Sequence, residues 1–193
     1  MRILAVTLVV FALTASGAAC GGGAVPSVVR DEMARTTSRG VVTVIMFTDF
    51  QCPFCRRTHA ALASILAEQP GRVRLVIRHV PLRMHPDART AARAAVCGEA
   101  LGAREDLVSA LYAAPDLGEQ ACEELAAGRG VDRERFQRCV ADPATDARID
   151  RDTAMLDELK GDGVPLLYVG RLRLDGSQTR RSLLTAIEHE SGQ

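Results

Sequence analysis

Among the six cysteines of this 193-residue chain, two stand in Cys52-Pro53-Phe54-Cys55. Two cysteines three apart can close a small disulfide across one helical turn. The same spacing serves zinc, but a structural zinc site draws on two such pairs. Only one is present here, so dithiol–disulfide chemistry is the stronger reading and no metal is assigned. The position of the motif matters as much as its spacing. Val41 to Phe47 is an apolar, β-branched run that reads as a buried strand. Thr48 to Gln51 forms the turn leaving it, and Pro53 suits the first position of a helix, where its missing N–H costs nothing. Cys52 therefore falls at a helix start, where free backbone N–H groups and the helix dipole favour negative charge. It is expected to be exposed, to favour its thiolate and to act as nucleophile. Cys55, one turn further in, is expected to be buried and to act as the resolving thiol. The competing reading is an inert clip, but so short a loop restrains an unfolded chain little.

A second signal lies far along the chain, in Gly163-Val164-Pro165 ahead of Leu166 to Val169. Proline before a core-like strand is unusual, and an X–Pro bond adopts the cis form at low cost. A cis Pro165 facing the CxxC motif would leave the Val164 backbone to pair with an extended peptide. A trans proline that merely starts a strand is the plainer alternative. Asp49 has two readings, proton transfer near the dithiol or capping of the turn, and capping is favoured. His59 is expected on the outer helix face. His79 and His85 are expected to hold loop structure around Pro81, and Arg56 and Arg57 to be solvated. With His189 near the end of the chain, the histidines form no cluster with ligand spacing.

The elements that must position these residues follow from periodicity and breakers. Leu62, Ile65 and Leu66 give the helix after Pro53 an apolar stripe, closed by Pro70-Gly71. Val73 to Val80 is a second apolar strand. From about residue 86 to 160 the pattern is helical, with Asp132 as one N-cap. Leu166 to Val169 and Leu172 to Leu174 flank Gly170-Arg171 as a hairpin. Ser177 is expected to cap a last helix ending near Glu190, and Val28 to Arg30 to form a short edge strand. A helix between two strands implies a parallel βαβ unit. The whole is an α/β plan: βαβ, a helical insertion, then a C-terminal ββα unit.

Thr48-Asp49-Phe50-Gln51-Cys52-Pro53-Phe54-Cys55 resembles the active-site entry of DsbA-like thioredoxin-fold proteins. Arg78-His79-Val80-Pro81-Leu82, His85-Pro86-Asp87-Ala88 and Ala91-Ala92 resemble the segment after their second strand, and Gly163-Val164-Pro165 resembles their cis-proline loop. The resemblance implies a thioredoxin-like fold over residues 41–193, with Cys52 as nucleophile and leaving thiolate and Cys55 as resolving cysteine. Pro165 would be the cis proline, with Val164, Pro53 and Phe54 lining the client groove. The implied activity is a protein thiol–disulfide oxidoreductase without a further cofactor. Its partners would be unfolded or thiol-containing secreted proteins and a membrane redox protein that recycles the dithiol. Relatives carry cysteines at places resembling Cys97 and Cys139, which implies a structural Cys97–Cys139 disulfide. A Cys122–Cys139 bridge remains the competitor, because sequence does not fix connectivity. Ala100-Leu101-Gly102-Ala103-Arg104 departs from the Gln-Gly-Lys-Phe-Trp stretch of many relatives, so client choice is not carried over.

The ends and the composition bound the setting. Arg2, the apolar run from Ile3 to Leu13 and the small residues up to Ala19 read as a signal peptide over residues 1–19. Cys20 before Gly21-Gly22-Gly23 resembles a lipoprotein processing site, where that cysteine would carry lipid. Residues 20–40 would then be a tether and N-terminal extension. The protein is thus expected to be exported, periplasmic and held to the membrane only by a lipid. Disulfides persist in that setting. Formal net charge is zero, which argues against nucleic acid as partner. Lys160 is the only lysine and asparagine is absent, a bias that cautions against reading every arginine as a site. The rival readings are a reductase or isomerase on the same fold, a soft-metal binder through Cys52 and Cys55, and a redox-inert surface lipoprotein.

Overall fold

The computed structural model describes residues 25–36, 38 and 40–192. The expected signal peptide, Cys20 and the glycine tract lie outside these residues. Four strands form one sheet: β1 (Val42–Thr48), β2 (Val73–His79), β3 (Leu166–Val169) and β4 (Leu172–Asp175), in the order β2-β1-β3-β4. β1 and β2 run parallel with Val42 opposite Val73, while β1–β3 and β3–β4 are antiparallel. The parallel pair needs a crossover, supplied by α2 (Pro53–Glu68). The hairpin turns through Gly170, whose φ of +53° suits glycine and where a Cβ would collide with Glu190.

The apolar run of β1 is explained by cover on both faces. Val44 and Met46 join the larger core with Leu62 and Ile65 of α2 and Leu183 of α8 (Arg180–Ser191). Ile45 and Phe47 face the opposite way, into a smaller core with Val29, Leu156 and Tyr168. Between β2 and β3 lie five helices: α3 (Ala88–Ala100), α4 (Arg104–Ala113), α5 (Glu119–Ala127), α6 (Arg133–Ala141) and α7 (Pro143–Glu158). Asp132 caps α6 by accepting from the Arg135 N–H, and Asp142 caps α7 at Ala144. Cys97 of α3 and Cys139 of α6 form a disulfide, and Cys122 of α5 is a buried free thiol.

Two expectations about local structure fail. Val28 to Arg30 is not a strand but part of helix α1 (Ser27–Thr36). The Pro26 carbonyl accepts from the N–H groups of Val29 and Arg30, which starts the helix, and Val29 buries against the sheet while Glu32 pairs with Arg78. Ser177 does not cap the last helix. Thr179 does, in a reciprocal pair with Ser182, while Ser177 Oγ lies 3.4 Å from Thr58 Oγ1.

Candidate redox site

Cys52 is the N-cap of α2 and Pro53 its first helical residue. The geometry descends from the sequence: β1 ends at Thr48, and the tight turn to Cys52 is closed by the Cys52 N–H donating to the Asp49 carbonyl at 3.2 Å. The Asp49 carboxylate is buried and fully engaged. Oδ1 accepts from the Gln51 N–H at 2.7 Å, and Oδ2 accepts from the Leu82 N–H and faces His85 Nδ1, both at 2.8 Å. It joins the redox turn to the loop after β2, so its observed role is that of an anchor. Gln51 adds a second tie, accepting from the Asp87 N–H at 2.8 Å.

The Val164–Pro165 peptide is cis, and its loop packs on the motif. Cys52 Sγ lies 3.9 Å from the Val164 carbonyl oxygen, 112 residues away in sequence. Cys52 is consequently only 4% exposed, against the expectation of an exposed sulfur. The Val164 loop and the main core cover it. What faces solvent is its neighbour Phe54, half exposed, with the Arg57 guanidinium 4.7 Å from its ring centre. Arg56 is exposed. Both Cys52 and Cys55 are free thiols.

Cys55 is fully buried, and burial pushes its thiol up to about 12, opposed in part by the Thr48 hydroxyl and the Asp49 backbone. Behind it, the Thr48 hydroxyl hydrogen-bonds the Tyr112 hydroxyl, and burial raises the Tyr112 phenol well above its ordinary value. His59 does not lie on the outer face. It is buried and stacked on Tyr112 with ring centres 4.3 Å apart, and burial lowers its imidazole to about 4. α4 packs against that side of α2, which one turn of periodicity after Cys55 does not disclose. The sequence places Thr48 in the turn before the motif but gives no sign of its partner Tyr112. They are 64 residues apart, and nothing local marks a tyrosine on an inserted helix as a neighbour of the dithiol. Among the described residues, no group of three or more His, Cys, Asp or Glu could hold a metal ion.

A strand-to-helix dithiol under a cis-proline loop, on a four-stranded sheet with a helical insertion, is the architecture of thioredoxin-like oxidoreductases. The sequence model described as thioredoxin matches residues 30–189, and the chain belongs to that family as a DsbA-like member. A thioredoxin-like oxidoreductase from Silicibacter pomeroyi superposes with a TM-score of 0.72 at 29% identity, covering 80% of this chain and 89% of the other. The thiol-disulfide exchange protein alpha-DsbA2 from Wolbachia pipientis gives 0.71 at 17% identity, covering 80% and 84%, a likeness of fold. In sequence, the chain is 32% identical over 148 residues to the Na(+)/H(+) antiporter NhaA 3 of Salinispora tropica, covering 76% of this chain and 22% of that protein. The chain spans about a quarter or less of the curated relatives it matches. Among the described residues, no helix is long and apolar enough to cross a membrane.

Proposed function

We propose that the protein is an extracytoplasmic thiol–disulfide oxidoreductase that exchanges disulfides with secreted client proteins through Cys52 and Cys55. The observation that carries this reading is the position of Cys52 at the N-cap of α2, 3.9 Å from the carbonyl before the cis proline. In the oxidised form, a client thiolate attacks Cys52 Sγ, breaking the Cys52–Cys55 bond. Cys55 departs as thiolate and takes a proton, as its position near 12 requires at neutral pH. A second client thiolate then attacks the client sulfur of the mixed disulfide and expels Cys52 as thiolate, which the helix N-terminus favours. The client gains one disulfide and the enzyme becomes a dithiol, which a membrane redox partner reoxidises by accepting two electrons.

In this reading the client lies as an extended segment along Val164, whose backbone offers strand-like pairing. Phe54 and Pro53 supply the exposed apolar surface beside it, and Pro165, itself buried, shapes the loop. The Cys97–Cys139 disulfide suits an oxidising compartment, in keeping with export; attachment of lipid at Cys20 rests on the sequence around that cysteine. Ion transport is no part of this proposal, because the chain matches only a fraction of the antiporters' length.

A Cys55→Ala variant tests the mechanism. Lacking the resolving thiol, it should accumulate mixed disulfides between Cys52 and secreted proteins, visible as reductant-sensitive bands after acid trapping. An empty trap from a folded variant would overturn the proposal.

A further inference from the structure

Five elements converge on a cleft of about 430 Å³ along the edge strand β2. Its walls carry Arg35 from α1, Arg74 and Arg78 from β2, Arg104 from α4 and Arg148 from α7. Two acids share these cations. Glu32 bridges Arg35 and Arg78, and Glu99 bridges Arg104 and Arg148. Asp152, behind the wall, takes Arg78 at 3.1 Å and the His79 N–H at 2.9 Å. Five guanidiniums against three carboxylates leave an excess of two positive charges in a partly enclosed space.

The floor supplies an independent observation. His79 lines the cleft at 2% exposure, and its Nδ1 has no hydrogen-bond partner, nor has the buried Nε of Arg78, the residue before it in β2. Buried polar atoms are nearly always satisfied, so unpartnered atoms on two residues that line a basic cleft point to a group that the protein itself does not provide. Burial first, and then the neighbouring arginines, push His79 down to about 3, which leaves the ring neutral and able to donate from Nδ1. Burial and guanidinium crowding likewise depress Arg104 and Arg148, a repulsion that an added anion would relieve. The volume falls in the range of small-molecule pockets, and guanidiniums pair with planar or tetrahedral oxyanions through two parallel bonds.

We infer that this cleft binds a small, multiply charged oxyanion, held by Arg78, Arg104 and Arg148 with His79 at its floor. The site is separate from the dithiol: Phe50 stacks on His79 and packs at a tilt against Tyr112, whose ring lies on the dithiol side. Binding is thus expected to leave disulfide exchange intact.

Isothermal titration calorimetry of the intact protein with pyrophosphate and, separately, with citrate tests this, in chloride buffers of matched ionic strength. Saturable one-to-one binding of either probe is expected, and the tighter probe assigns the class as phosphate or carboxylate. Arg104→Gln should weaken it about tenfold. Arg74→Gln should weaken it by a smaller factor and, because Arg74 is exposed on β2, keeps the test open should the first variant misfold. Arg138→Gln, on the exposed face of α6, should change nothing. Absence of saturable binding, or equal weakening by Arg138→Gln, would overturn the inference.

Discussion

Phe54 stands between the two sulfurs in sequence, half exposed and carrying no imidazole. Its side chain cannot support a thiolate on Cys52 by charge or by hydrogen bond. The dithiol is therefore expected to be a weaker oxidant than relatives with histidine there, with a reduction potential well below the ~−120 mV extreme. Phe54→His should raise it by about 30 mV or more, a tenfold change in exchange equilibrium. Equilibration with glutathione measures both, and a native value near the extreme would refute the argument. His59 makes a separate prediction. Its imidazole is held neutral in the fold down to about pH 4, whereas in the unfolded chain it titrates near the ordinary histidine value of about 6.5. Between these values the unfolded state binds the extra proton, so stability falls as pH falls, by roughly 3 kcal/mol for this group. His59→Phe keeps the stack on Tyr112 but removes the proton site. Its urea midpoint should decline less than that of the parent between pH 6.5 and 4; parallel declines would show that burial does not hold the ring neutral.

At the scale of elements, the helical insertion is stapled rather than merely packed. Cys97 and Cys139 join α3 to α6 across 42 residues of chain. A loop of that size restrains the unfolded chain by about 4 kcal/mol in the entropic account. Cys97→Ala with Cys139→Ala should therefore lose about 2–4 kcal/mol in denaturant titration while Cys52 and Cys55 still exchange disulfides. Loss of exchange at full folding would tie the bridge to the redox chemistry instead. The same scale explains where local reading failed. α1 begins with β-branched valines, which favour strands. It is helical because Pro26 starts the turn and because Glu32 and Val29 find Arg78 and the sheet face on one side. Burial works to raise the Glu32 carboxyl, but Arg35 and Arg78 outweigh it and hold it below its ordinary value.

For the whole molecule, the sheet with cover on both faces holds two chemically different regions apart: a dithiol under the cis-proline loop and an arginine cleft at the β2 edge. Net charge is zero, so the excess in that cleft arises from distribution and not from composition. If Cys20 carries lipid, the intact protein should fractionate with membranes and incorporate labelled palmitate. Cys20→Ser should abolish the label and release the protein to the soluble fraction. A soluble, unlabelled parent would remove the anchor from the proposal.

From β1 onward the succession of strands and helices was legible in the chain because local rules govern it: β-branched runs, helical stripes, and breakers such as Pro70-Gly71 and Gly102. So was the CxxC motif at a strand-to-helix junction, since every residue that defines it lies within fifteen positions. The resemblance supplied the Val164–Pro165 loop and the Cys97–Cys139 pairing, neither of which spacing alone specifies. Tertiary structure decided the rest. It covered Cys52 with a loop 112 residues away, set Tyr112 behind Cys55, buried His59, and brought arginines from four elements to one cleft. These depend on contacts between residues far apart in sequence, and no local period or propensity records which distant side chain will fill a given face.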